Sequence, residues 1–197
     1  MRRLIQALLL PLSLIASGAA QPAEAAESDA LVAWNALREG GHVVLMRHAQ
    51  TEAGIGDPPG FALEDCRTQR NLSADGRKDA RQIGQAFRDR GINVSQVRSS
   101  RWCRCLDTAR LAFATVEPEP ALDSMFREEA SRGKHKLDAL KAIIAGRPAH
   151  GNLVLVTHSQ NIIALTGVSL GSGEMLVVKP LAAGLQQVGV IAVPRSR

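Results

Sequence analysis

The chain has 197 residues, of which 45% are hydrophobic and 22% are charged, and this balance excludes an intrinsically disordered protein. The formal net charge of +5 is a mild excess in which charges of both signs are interspersed. That pattern argues against a nucleic-acid-binding surface and fits a small anionic substrate. The length predicts one domain, over residues 28–197.

The first 20 residues, MRRLIQALLLPLSLIASGAA, predict a secretory signal peptide. An Arg-Arg start leads into an apolar stretch over residues 4–16 and then into small residues, so cleavage is expected after Ala20 or at the A-x-A of residues 23–25. A membrane anchor is the alternative, but a bilayer span needs about 20 apolar residues. Removal of residues 1–20 leaves 22 basic against 19 acidic residues, a net charge of +3 instead of +5. We expect an exported protein, periplasmic or secreted, without a stable membrane anchor in the mature chain.

Three cysteines, Cys66, Cys103 and Cys105, lie in a chain that is expected to mature in an oxidising compartment. Cys103 and Cys105 are two residues apart in a predicted helix, where their side chains point apart. A disulfide from Cys66 to one of these two is the preferred hypothesis, and three free thiols are the alternative. The spacing matches no zinc site, and no metal is expected.

Apolar periodicity and turn residues predict alternating helices and strands along the rest of the chain. Helices are predicted over 28–38, 73–90, the second half of RSSRWCRCLDTARLAFA, 134–145 and QNIIALTG. Strands are predicted at Val43–Met46, near 94–97, at 152–156, and in EMLVV and LQQVGVIAV. Residues 49–71 form a predicted loop of unusual length, a feature that is often functional beside a strand end. The alternation predicts an α/β fold with a mostly parallel sheet covered on both faces.

Two of the buried strands are followed by a histidine. VVLM leads into Arg47 and His48, and LVLV leads through a threonine into His158. Ligands of open α/β sheets bind beyond the carboxyl ends of the strands, so we expect the two histidines to share one crevice. Arginines after the next strand, Arg104 among them, add positive charge at this edge. Arginine binds phosphate oxygens through a planar fork of donors, and neutral imidazole is a good nucleophile, so this edge predicts phosphoryl chemistry.

These segments resemble the histidine phosphatase superfamily, in its phosphoglycerate mutase-like branch. LMRHAQT resembles its Arg-His-Gly signature, SRWCRCLDTA is similar to its second motif, NLSADGRKDA resembles the helix entry between them, and LVTHS resembles the strand of its second histidine. The resemblance covers about residues 42–166 in the family's order. It implies a three-layer α/β/α sandwich with no metal or organic cofactor. It further implies that His48 attacks phosphorus and becomes phosphohistidine, while Arg47, Arg104 and His158 line the phosphate pocket.

The chain departs from the family pattern at three positions. Ala49 and Gly54 stand where many members have a glycine and a phosphate-contacting asparagine, and Ser124 stands where mutase-like members carry a proton-donating glutamate. Serine is a poor acid, so a carboxylate elsewhere is expected to protonate the leaving group. The candidates are Asp123, Glu128, Glu129 and Glu174, of which Glu128 is the choice. Alternatively, a substrate with a good leaving group, such as phosphohistidine, needs no strong acid.

The sequence thus predicts an exported phosphatase that hydrolyses a small phosphomonoester through a phosphohistidine intermediate on His48. A phosphohistidine phosphatase and a phosphomutase are the alternatives among enzymes. A catalytically silent anion-binding module is the alternative from a different class. Arg67 and Arg70 are expected on the solvated surface rather than in the anion site.

Overall fold

The computed structural model describes residues 22–126, 128–182 and 184–192. The predicted signal peptide, residues 1–20, lies outside the described residues. The helices are α1 Pro22–Glu39, α2 Ala74–Asp89, α3 Cys103–Phe113, α4 Ala130–Ala145 and α5 Ser159–Thr166. The strands are β1 Val43–Arg47, β2 Val94–Ser99, β3 Glu117–Pro118, β4 Asn152–Thr157, β5 Met175–Leu181 and β6 Gly184–Ile191. None of the described helices has the length and hydrophobicity that a membrane span requires.

The strands form one sheet in the order β3-β2-β4-β1-β5-β6. The four strands from β3 to β1 are parallel, whereas β5 runs antiparallel to β1 and β6 antiparallel to β5. The predicted mostly parallel sheet is therefore confirmed, with an antiparallel pair at one edge. Only a short connection separates β5 from β6, and a connection of that length joins antiparallel neighbours because a parallel crossover needs a dozen residues or more.

Helices cover both faces of the sheet and give the predicted three layers. Successive side chains of a strand point to opposite faces, and β1 shows what this does to the core. Val44 and Met46 pack in one apolar cluster with residues of α1, α2 and α3, while Val43 and Leu45 pack in another with residues of α4 and α5. Because both faces are buried, the strand reads as a continuous apolar run, VVLM.

Two helices begin earlier than the sequence pattern predicts. Helix α1 begins at Pro22 instead of near residue 28. The alanines and glutamates between Pro22 and residue 28 are strong helix formers, and proline is well suited to a first helical turn. Helix α4 begins at Ala130 instead of near residue 134. Strand β3 has two residues and is too short to leave a periodic pattern.

Helix α2 packs its first turn against the segment that follows β1. Its predicted cap is confirmed, since the Ser73 side chain accepts a hydrogen bond from the backbone N–H of Gly76. A Cβ atom at Gly76 would lie 1.9 Å from the carbonyl oxygen of Gln50. Only glycine allows this approach, which fixes the helix against the backbone two residues after His48.

Candidate active site

The two histidines predicted to share a crevice lie side by side at the carboxyl edge of the sheet. In the parallel register of β1 and β4, Arg47 is paired with Thr157, which places His48 beside His158. The backbone N–H of His48 donates to the carbonyl of Thr157 at 3.0 Å. The centroids of the two imidazole rings are 5.5 Å apart.

A cavity of about 910 Å³ opens at this edge. All five residues that the sequence nominates for the site line it: Arg47, His48, Arg104, Glu128 and His158. The long loop between β1 and α2, the beginning of α3, the segment before α4 and the beginning of α5 form its walls. The residues that the resemblance implies are therefore brought together around one space.

His48 is held in the tautomer that a nucleophile needs. Its Nδ1 lies 2.8 Å from the carbonyl oxygen of Ala49, and a carbonyl only accepts, so Nδ1 carries the proton and Nε2 keeps its lone pair. Burial lowers the pKa of His48 to about 3, and the nearby charges of Arg104 and Arg47 act in the same direction. The ring is therefore neutral at physiological pH, with Nε2 as its available base.

His158 takes the opposite tautomer. Its Nδ1 lies 3.5 Å from a guanidinium nitrogen of Arg104, which can only donate, and its Nε2 lies 2.9 Å from the Ser100 hydroxyl. Nε2 therefore donates to Ser100, whose hydroxyl lies 3.3 Å from the carboxylate of Asp123. Burial, and next the neighbouring His48, lower the pKa of His158 well below its ordinary value. This chain of hydrogen bonds fixes the ring of His158 beside Arg104.

Arg104 is anchored by an aspartate that the sequence analysis did not nominate. The guanidinium and Asp57 form a buried ion pair of 2.7 Å, with side-chain exposures of 5% and 7%. Asp57 also accepts from the indole N–H of Trp102 at 2.9 Å and from the backbone N–H of Arg70 at 3.0 Å. Burial alone would raise the pKa of Asp57, but the hydrogen bond from Arg104 and the other donors hold it below its ordinary range. The position of Asp57 in the long loop after β1 was the one feature of the sequence that could have suggested it as a site residue.

Three guanidinium groups surround His48. The charges of Arg47, Arg70 and Arg104 all act on its pKa. Arg70 lines the cavity and donates to the carbonyl of Gly56 at 2.9 Å, so its expected place on the solvated surface is wrong. Burial and the charges of Arg104 and Arg47 lower its pKa. Arg67, by contrast, is 90% exposed and pairs with Asp65, as a surface arginine does. The cluster forms a strong anion site next to the neutral histidine.

The departures at Ala49 and Gly54 both have a structural reason. The backbone N–H of Ala49 donates to the Thr108 hydroxyl at 3.0 Å, and that hydroxyl donates to the carbonyl of Arg104 at 2.7 Å. Among the described non-glycine residues only Ala114 has a positive φ, so Ala49 sits in a conformation that a Cβ tolerates. Gly54 has a φ of +132°, which asparagine would not adopt without strain, so the loop cannot present an asparagine there.

A disulfide ties the long loop to the first turn of α3. Cys66 and Cys103 are bonded, with their Cα atoms 5.7 Å apart, which confirms the preferred cysteine hypothesis. The Gln69 side chain accepts from the backbone N–H of Cys103 at 3.0 Å. Cys105 is a buried free thiol whose pKa burial raises to about 12, so it is an unreactive neighbour of the site. The disulfide therefore couples the loop that carries Asp57 to the helix that carries Arg104.

The four carboxylates considered as proton donors lie in different surroundings. Glu128 lines the cavity with 16% of its side chain exposed and lies 2.8 Å from Lys136. Asp123 also lines it but is buried and bound by Arg101, while Glu129 is 74% exposed. Glu174 is outside the lining set and accepts from a backbone N–H at 2.7 Å. Glu128 keeps its place as the predicted donor. Within the part of the chain that the structure describes, no cluster of histidine, cysteine and carboxylate side chains is placed to hold a metal.

A neutral histidine among arginines, at the carboxyl ends of the parallel strands, is an arrangement suited to phosphoryl transfer. The model of the histidine phosphatase superfamily (branch 1) matches residues 43–135 and confirms the resemblance of the sequence to that superfamily. The match supports a phosphatase enzyme. No curated protein sequence matches the chain.

Solved structures share the fold at low sequence identity. The alpha-ribazole phosphatase from Shigella flexneri is 16% identical, with a TM-score of 0.57 over 79% of this chain and 96% of that one. Phosphoserine phosphatase from Entamoeba histolytica is 16% identical, with a TM-score of 0.56 over 77% and 97%. The protein histidine phosphatase SixA, complexed with tungstate, is 14% identical, with a TM-score of 0.51 over 77% and 96%. These similarities establish the fold.

Proposed function

We propose that the protein is an exported phosphatase that hydrolyses a small phosphomonoester through a phosphohistidine intermediate on His48. The observation that carries the proposal is the neutral imidazole of His48, with Nδ1 donating to a backbone carbonyl and three guanidinium groups around it. Export is supported by the signal-peptide pattern of residues 1–20 and by the disulfide, which persists in oxidising compartments.

Phosphoryl transfer to His48 requires in-line attack and stabilisation of the phosphoryl oxygens. Nε2 of His48 attacks phosphorus, the ester P–O bond breaks, and the leaving alkoxide takes a proton from Glu128. Arg47 and Arg104 bind the phosphoryl oxygens, and His158 orients Arg104 by accepting its N–H. Loss of one such donor typically costs about 10²- to 10³-fold in rate.

Hydrolysis of the intermediate returns the protein to its starting state. A water molecule attacks the phosphohistidine, its proton passes to the Glu128 carboxylate, and the P–N bond breaks. Phosphate leaves, and His48 again has a proton on Nδ1 and a lone pair on Nε2. The carbonyl of Ala49 accepts the same Nδ1–H at 2.8 Å throughout, which keeps the ring from turning.

The test is turnover of an aryl phosphate by purified mature protein, compared with the His48→Ala variant. The control is His135→Ala, which changes an exposed side chain of α4. Wild type and H135A are expected to turn over and to accumulate an acid-labile phosphoenzyme, and H48A to do neither. Turnover that survives in H48A would refute the nucleophile. An aryl phosphate has a good leaving group and bypasses a missing acid, so a folded wild type without turnover would instead be the anion-binding module.

A phosphohistidine phosphatase is the second candidate. It is favoured by Ser124, which lines the cavity at the position where mutase-like members carry the donating glutamate. Phosphoimidazole has a good leaving group and requires less of an acid than an alkyl ester does. Faster phosphoryl transfer to His48 from a phosphohistidine peptide than from alkyl phosphates, with Glu128→Gln as fast as wild type in the first turnover of the peptide, would select this candidate.

A further inference from the structure

The charges that line the cavity are sorted along its length. The described lining residues include six cations and four carboxylates, a net charge of +2 with both histidines neutral. Away from His48, every cation has a carboxylate partner: Arg101 with Asp123, Arg132 with Glu129 and Lys136 with Glu128. Around His48, the described lining residues include three guanidinium groups, those of Arg47, Arg70 and Arg104, and the carboxylate of Asp57, which pairs with Arg104.

This sorting fits a substrate with one phosphate. The excess charge of +2 lies at the end where His48 stands, and it matches the charge of −1.5 to about −2 of a phosphate monoester near neutral pH.

The wall of the cavity carries an unusual share of the chain's aromatic residues. The whole sequence has four phenylalanines, two tryptophans and no tyrosine. Of these six, Phe61, Trp102 and Phe126 line the cavity, and Ile55 stands beside them. Phe61 is 37% exposed and Phe126 44% exposed, while Ile55 is 88% exposed. A large apolar surface that stays exposed at the mouth of a binding cavity is typical of a ligand contact.

The aromatic side chains are held in place rather than scattered. The rings of Phe61 and Trp102 have centroids 5.8 Å apart, and the indole N–H of Trp102 donates to Asp57 at 2.9 Å. On the other side, a Cβ atom at Gly56 would lie 3.6 Å from the Phe126 ring, so the loop and this ring are in close contact. The long loop and the segment before α4 thus present an aromatic lip, formed by Phe61, Trp102 and Phe126, next to the phosphate end.

We propose that the substrate is a monophosphate ester whose alcohol carries a flat apolar or heteroaromatic ring, of the kind found in a nucleoside monophosphate. This inference rests on the proposed function. The phosphate lies among Arg47, Arg70 and Arg104, and the ring stacks on the aromatic lip, where every planar base offers a π-face. Sugar phosphates without such a ring are the poorer substrates.

The experiment compares adenosine 5′-monophosphate with glycerol 3-phosphate. Both are esters of a primary alcohol, so their leaving groups are similar and the ring is the main difference. Wild type is expected to prefer the nucleotide in kcat/KM by about tenfold or more. Phe61→Ala and Phe126→Ala are expected to reduce that ratio by about tenfold. Leu31→Ala removes an apolar side chain of 59% exposure on α1 and is the matched control.

The outcomes separate this inference from the proposed function. Equal kcat/KM for the two esters, or an unchanged ratio in both phenylalanine variants, would overturn the ring preference while leaving the phosphatase intact. If wild type hydrolyses no ester, aryl phosphates included, the proposed function fails. The ring preference is then measured by calorimetric titration of wild type with the same two esters, and equal dissociation constants would refute it.

Discussion

Replacement of His48 by asparagine is expected to make folding less sensitive to acid while it abolishes turnover. Burial and the charges of Arg104 and Arg47 lower the pKa of His48 from 6.5 to about 3. The unfolded chain therefore takes up a proton at this position as the pH falls below 6.5, whereas the folded protein does not. The free energy of unfolding then falls by about 1.4 kcal/mol per pH unit, or about 2 kcal/mol between pH 6.5 and about pH 5. The contribution is complete above 6.5 and is lost progressively as the pH falls towards 3.

The assay is urea unfolding of the wild type, His48→Asn and His135→Asn at several values from about pH 7 to about pH 5. The pKa of buried His158 is lowered in the same way. The free energy of unfolding of H48N should therefore still fall with pH, but less steeply than that of wild type, because only the contribution of His48 is removed. H135N changes an exposed side chain and serves as the control. An equal pH slope in wild type and H48N, or a His48 ring that titrates near 6.5 in an NMR experiment on the folded protein, would refute the reasoning.

Three further predictions concern the walls of the cavity. Asp57→Asn leaves Arg104 buried without its carboxylate and is expected to cost about 3 kcal/mol of stability in thermal unfolding. Asp65→Asn, at an exposed ion pair, should leave the melting temperature nearly unchanged, and equal effects of the two variants would contradict the role of burial. Cys66→Ser removes a cross-link between residues 37 apart and should lower the free energy of unfolding by about 4 kcal/mol in denaturant titrations. Three free thiols in wild-type protein denatured without reductant would contradict the disulfide. Glu128→Gln should slow turnover of an alkyl phosphate about 10²-fold but spare the initial burst of nitrophenol from an aryl phosphate; equal losses in both would exclude a donor role.

The central strands and their histidines could be predicted because two physical signals coincide there. A strand buried on both faces must be apolar at every position, so the first polar residues after it mark the edge of the sheet. Parallel pairing then places the residues after β1 and β4 next to each other. His48 and His158 follow from these two rules without any knowledge of the loops.

The loop residues of the site could not be predicted in the same way. Asp57 and Arg70 lie in a segment without periodicity, where no pattern shows which side chains turn inward. A short 3₁₀ helix over Cys66–Thr68 leaves Arg67 in solvent and leads the chain back so that Arg70 meets the cavity. The Asp65 side chain caps this turn locally, but no local pattern shows that Arg70 faces the cavity, because the disulfide and the contacts of Asp57 set the path of the loop.

The position of β4 between β1 and β2 has a consequence for how the protein is made. Strand β1 pairs with β4 and β5, both of which follow it by more than 100 residues. During synthesis His48 emerges early, but β1 has no neighbour until β4 inserts beside it, and such long-range pairing is slow. A nascent or truncated chain that ends before residue 152 therefore exposes an apolar strand with two open edges, which invites aggregation and proteolysis. His48 and His158 come together only when β4 pairs with β1, so the candidate site cannot form before the sheet is complete.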